Sequence, residues 1–191
     1  MHMNTDPSMH LAPRPLWLAA ALALGLALTG MAGSAHADAS EAAEIAAVSR
    51  ATITPLDALA KAEQHTGGHA YGLGLEVARH GTWYEVQMNV RNRPMVARID
   101  PRSGAFLGMT PAKGEDRAGA HTLDGRKIGL ATAIRAAESA GHGHALEAGP
   151  EGHGAAAHWD VDVVRTAGTL VHLSVNADSG KVTPAPRREW D

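Results

Sequence analysis

Histidine and aspartate alternate with apolar residues in His158-Trp159-Asp160-Val161-Asp162-Val163. Read as a strand, this run puts His158, Asp160 and Asp162 on one face and Trp159, Val161 and Val163 on the other. A return strand through Val171, Leu173 and Val175 points His172 toward the carboxylates. If 162 pairs with 172, Asp162 and His172 are cross-strand neighbours about 5 Å apart at Cβ. Two imidazoles and two carboxylates on one face form a donor set for a divalent metal ion. The same four residues also suit a solvated sheet face carrying one ordinary Asp–His pair. His158, Asp160, Asp162 and His172 are therefore the candidate metal-site residues.

Other histidines are spread more loosely. His65 and His69 are four apart, which on a helix makes one face, but Gly67-Gly68 between them ends a helix. His142-Gly143-His144 occupies the corresponding loop of a second half. Such Gly/His loops bind Zn²⁺, Cu²⁺ or Ni²⁺ weakly through neutral imidazole, or serve as polar filler. No firm cofactor is expected. Cysteine is absent, which excludes thiolate catalysis, thiolate metal sites and disulfides. Ser174 and Ser179 lack a G-x-S-x-G setting, and no H-E-x-x-H occurs. Gly72-Leu73-Gly74 has no helix behind it to receive a phosphate. The chain reads as a non-enzyme, with no catalytic residues to name.

The 191 residues carry 17 Lys and Arg against 20 Asp and Glu, a formal charge of −3. That balance gives no basic excess for a phosphate backbone, so nucleic acid is not an expected partner. Residues 1–37 read as a signal peptide. Arg14 precedes an apolar run over 16–28, and Ala35-His36-Ala37 is an A-x-A cleavage site before Asp38. The run is too short to span about 30 Å of hydrocarbon, so no membrane span is expected after cleavage. The expected location is periplasmic or secreted.

The remainder repeats itself at a spacing of about 75 residues. Ile53 matches Ile128, and Ala62-Glu63 matches Ala137-Glu138. His69-Ala70 matches His144-Ala145, and Tyr84-Glu85-Val86 matches Trp159-Asp160-Val161. Thr54-Pro55-Leu56-Asp57 starts a helix by capping, and Leu56, Leu59, Ala60 and Glu63 follow at helical spacing. A second helix covers about 130–139. Over 82–90, Tyr84, Val86, Met88 and Val90 alternate with polar neighbours as in a half-buried strand, and Met95, Ala97 and Ile99 return. Trp83 falls on the solvent side of that strand, where it suits a contact between the halves or a partner surface. The turns Asp100-Pro101-Arg102-Ser103-Gly104 and Asn176-Ala177-Asp178-Ser179-Gly180 close the hairpins, each followed by a last short strand.

A helix of the form A-x-x-x-A-x-x-x-x-G, a Y-E-V-x-(V/M) strand and a return ending D-x-x-(S/T)-G resemble the PepSY domain. The first copy carries this in residues 59–67, Trp83-Tyr84-Glu85-Val86-Gln87-Met88 and 100–106. The second is more divergent: Trp159 stands for the usual Tyr and Asn176 for the usual Asp. The resemblance implies an envelope protein that binds or inhibits peptidases, and it brings no catalytic set.

The expected fold class is α+β: two tandem PepSY-like units, each one helix packed on a small antiparallel sheet. The expected segments are a leader over 38–51, a first repeat over 52–109 and a linker over 110–126. A second repeat over 127–184 and a loose tail over 185–191 complete the chain. The expected function is a secreted or periplasmic non-catalytic binding module. Its partner would be a protein or peptide, with an envelope peptidase in view. The alternative is a periplasmic divalent-metal-binding protein using surface histidines.

Overall fold

A computed structural model describes residues 32–152 and 154–185. The proposed signal segment lies outside the described residues up to residue 31, and so does the tail from 186 onward.

The described residues begin with α1 (Ala32–Arg50), and the expected cleavage site falls within this helix. Helix α2 (Pro55–Thr66) follows, started as the sequence dictates. Thr54 Oγ1 accepts from Asp57 N at 3.1 Å while Thr54 N donates to Asp57 Oδ2 at 3.0 Å, a reciprocal capping box with Pro55 at the first turn. Four strands come next: β1 (His69–Ala78), β2 (Gly81–Val90), β3 (Arg93–Ile99) and β4 (Phe106–Pro111). A short helix α3 (Gly114–Ala118) and a 3₁₀ turn (Gly119–His121) lead to α4 (Leu130–Gly141). The second half then supplies β5 (Gly143–Glu151), β6 (His158–Arg165), β7 (Leu170–Asn176) and β8 (Val182–Pro184).

All eight strands form one antiparallel sheet, in the order β4-β3-β2-β1-β5-β6-β7-β8. The expectation of two units, each with its own small sheet, is thereby corrected. The join is the pairing of β1 with β5, Leu73 opposite Ala148 and Gly74 opposite Glu147. Its physical reason is edge protection. A helix on a separate four-stranded meander would leave the first strand with a row of unpaired backbone groups. Each half would also be a marginal core by itself. Pairing β1 to β5 removes two edges and merges the cores. One cluster runs from Leu59, Tyr84 and Met88 through Leu73 and Ala148 to Ile134, Trp159 and Val175.

Strands β1 and β5 escaped the sequence reading for a local reason. Tyr71 interrupts the pairing of β1 with β2, and Leu146 that of β5 with β6. Each bulge breaks the period of two that identifies a half-buried strand. His69 and His144 are consequently strand residues, not loop residues. Helix α1 takes in most of the expected leader over 38–51; it packs on β1 and β5 and buries Ala47 and Val48.

The internal repeat survives as matching hydrogen bonds. Tyr84 Oη donates to Ile53 O at 3.3 Å, and Trp159 Nε1 to Ile128 O at 2.8 Å. Glu63 accepts from Ala70 N and Glu138 from Ala145 N, both at 3.0 Å. Asp100 Oδ1 gathers Arg102 N and Ser103 N, as Asn176 Oδ1 gathers Asp178 N and Ser179 N. A neutral amide oxygen thus does the work of the carboxylate in the second turn. Trp83 is half-buried on the outward side of β2. Its indole donates to Glu85 at 2.8 Å and lies under Arg98 at 4.4 Å, so these partners all come from its own half.

The stretch over 110–126 is held down. Tyr71 Oη donates to Asp116 O at 2.7 Å and Gln87 Nε2 to Asp116 Oδ1 at 3.0 Å. The last residues of β4 and all of α3 lie within it.

Candidate functional site

Strand β6 turns Trp159, Val161 and Val163 into the core and leaves His158, Asp160 and Asp162 half-buried on the opposite face. Asp162 pairs in register with His172 of β7, Asp160 with Ser174 and His158 with Asn176. The His172 Nδ1 to Asp162 Oδ1 distance is 2.7 Å, and His158 Nε2 lies 3.1 Å from Asp160 Oδ1. The four side chains therefore sit as two separate His–carboxylate pairs. His158 Nδ1 is also engaged, 2.7 Å from Ala156 O. The remaining ring nitrogen, His172 Nε2, is buried and has no hydrogen-bond partner. A metal ligand needs a free imidazole lone pair directed at the ion. His158 Nδ1 is taken up by Ala156 O, its Nε2 stands 3.1 Å from Asp160 Oδ1 without hydrogen-bond geometry, and His172 Nε2 is closed to solvent. Among the described residues no group of three or more His, Asp or Glu is placed to hold a metal ion. His65 and His69 share no helix face, as Gly67-Gly68 implied: α2 ends at Thr66, Gly67 takes φ 67°, and His69 belongs to β1.

Carboxylates gather on the same face nearer the sheet centre. Glu76 lies beside Glu85, Glu44 and Asp116. Partial burial of its carboxyl raises its pKa, and those three charges raise it further, against the opposing pull of Arg98.

A feature the sequence reading did not identify lies at the rim of the sheet. Strand β4 is a terminal strand, paired to β3 on one side only. Among the described residues the exposed large hydrophobics are Leu107 at 54% and Met109 at 37%, and both belong to β4. The strand carries no charge over Phe-Leu-Gly-Met-Thr-Pro, so it lacks the lysine that often blunts an open edge. The opposite rim, β8, is three residues long and ends at Pro184.

A bulge shapes this edge. Ile99 pairs with Phe106 and Arg98 with Gly108, which leaves Leu107 as the extra residue. Phe106 and Met109, three apart, consequently stand opposite the buried Ile99 and Ala97, on the side of the helices. Phe106 stacks on His65 at the end of α2, with ring centroids 3.9 Å apart. Two hollows flank that stack. One, of about 420 Å³, is walled by His65, Arg91, Arg93, Met95, Phe106 and Met109 among others. The second, of about 370 Å³, is walled by Lys61, Gln64, His65, Gly104 and Phe106. Gly104 takes φ +70°, which favours glycine, and the Lys61 chain lies across the turn with Cε 2.4 Å from where a Cβ would stand. The arrangement offers unpaired strand backbone, apolar contact and positive charge, which is binding chemistry.

The chain matches no family model and no curated protein. It is similar, at 15% identity and a TM-score of 0.35, to a solved structure from Clostridium difficile 630 described as a "putative lipoprotein", over 63% of this chain and 83% of that one. A likeness that slight carries nothing into the function.

Proposed function

We propose that this is an exported, non-catalytic binding module that captures an extended segment of a partner protein by strand addition along β4. The observation that carries the reading is the coincidence of an open sheet edge with exposed Leu107 and Met109. A peptide laid beside β4 satisfies its outward backbone groups and covers both side chains. Export is supported by the apolar run over 16–28 and the A-x-A site. The resemblance to PepSY domains supports an envelope peptidase as the partner.

The chain has no cysteine, so one introduced at Thr110 is a unique attachment point. A crosslinker on Thr110→Cys should capture one predominant protein from an envelope fraction. The same probe on the Leu107→Ser/Met109→Ser background should lose it, because the apolar contact is removed without adding charge. Equal capture by both proteins would place the binding surface away from β4.

A further inference from the structure

We propose that the β4 edge selects extended peptides in which acidic residues alternate with apolar ones, the acidic side chains entering the two hollows beside His65 and Phe106. This rests on strand addition at β4 and names the chemistry of its ligand.

Residues of an added strand alternate, so positions i and i+2 point the same way about 6.6–6.8 Å apart. One set faces the helix side, where the hollows lie on either side of the His65–Phe106 stack. The other set faces Leu107. That residue lines a third hollow with Trp83, Arg50 at the end of α1, and the turn residues Asp100 and Arg102. The ligand therefore meets two unlike surfaces along one strand.

Charge then separates the two sets. The helix-side hollows are walled by Lys61, His65, Arg91 and Arg93, and no acidic side chain lines either of them. This is a basic strip on a chain whose formal charge is −3. The floor is apolar, built from Val90, Met95, Phe106 and Met109. A glutamate fits such a hollow well: its methylenes cover the floor and its carboxylate reaches the cationic rim. On the other side the charge is mixed, Arg50 and Arg102 standing with Asp100, and the exposed Leu107 favours Val or Leu. A second copy of this chain is a poorer occupant, because antiparallel β4–β4 pairing would bring two basic strips together.

The backbone at this place is also unusual. Arg91 and Asn92 form the two-residue turn between β2 and β3 with φ of 50° and 60°. Asn is common in such a turn, and Arg is not. Keeping an arginine in a left-handed conformation at the wall of the hollow is consistent with use of its side chain.

The test uses the intact chain and three labelled pentapeptides, acetylated and amidated: Glu-Val-Glu-Val-Glu, Lys-Val-Lys-Val-Lys, and Glu-Glu-Val-Val-Glu with the same composition but broken alternation. Fluorescence anisotropy should show the first binding at least tenfold tighter than either of the others. The preference should weaken at high salt. Arg91→Glu/Arg93→Glu should abolish or reverse the preference for Glu over Lys, with an unchanged circular dichroism spectrum. Equal affinities for the acidic and lysine peptides, or no binding by any, would overturn the proposal.

Amide hydrogen exchange separates the two layers of the argument. Protection of β4 amides by acidic and basic peptides alike removes the selectivity and leaves strand addition standing. Tight acidic binding without β4 protection removes strand addition, and the proposal with it. A chain that sediments as a dimer with β4 amides already protected would make a second copy the occupant and also refute the proposal.

Discussion

Glu76 shows how a single side chain on the open sheet face affects the whole. Its carboxyl is pushed up from 4.5 by burial and by Glu85, Glu44 and Asp116. A carboxyl raised in the folded state stays protonated after the unfolded chain has released its proton. Over that window the unfolded state binds fewer protons, so stability falls as pH climbs above about 4.5 until the folded value is passed. Glu76→Gln should remove this fall. Urea unfolding at pH 4.5 and 7.5 should show the variant gaining on the parent toward pH 7.5; an equal gap at both values would exclude the effect. The histidine pairs lead to a second expectation. With no group of three or more His, Asp or Glu placed to hold an ion among the described residues, micromolar zinc should leave the melting temperature unchanged. A zinc-dependent rise lost in His172→Ala would restore the metal reading.

At the level of elements, the two helices end alike in shape and differently in residue. Helix α2 closes on Gly67 at φ 67°, and α4 on His142 at φ 57°. Glycine takes that conformation freely, whereas a residue with a Cβ pays about 1 kcal/mol or more. His142→Gly should therefore stabilise the fold by about 0.5–1 kcal/mol, after allowing for the looser unfolded chain. The α2 start works in the opposite sense. Thr54→Ala removes the capping acceptor and should cost about 1 kcal/mol. Thermal or urea unfolding reads both, and a neutral Thr54→Ala would mean that packing alone sets the helix start. The turn at Arg91 joins stability to binding. Arg91→Asn relieves an unfavourable backbone position, so it should raise stability while weakening the acidic peptide severalfold. A loss of both would mark Arg91 as structural.

For the molecule as a whole, the decisive fact is the shared core. Leu73 lies at the seam, 1% exposed, and belongs to the same buried cluster as residues of both halves. Cooperative unfolding follows, since neither half can expose its side of the seam without uncovering the other. Far-ultraviolet circular dichroism and tryptophan fluorescence should give coincident denaturation curves. Leu73→Ala should shift both together by about 2–5 kcal/mol. Two separated transitions would contradict a single sheet. The seam also determines where binding takes place. Because β1 and β5 are consumed by each other, the outermost strands are β4 and β8, and β8 is too short to offer much.

Several features were legible in the sequence because they depend on neighbours along the chain. The phase of β2 and β6 follows from alternation, which puts Tyr84, Val86 and Met88 inward, and Trp159, Val161 and Val163 with them. The start of α2 follows from Thr54-Pro55-Asp57, and the two Ser-Gly turns from Asp100 and Asn176. The opposition of Asp162 and His172 follows from one hairpin. Tertiary structure alone decided what those pieces join. The contact of Leu73 with Ala148 links residues 75 apart, and no local pattern names that partner. Two bulges hid the very strands that make it. Edge status is a property of strand order, so the exposure of Leu107 and Met109 on β4 appeared only with the full sheet. Local preference sets the shape of each segment; burial and backbone pairing between distant segments decide which surface is left open to a partner.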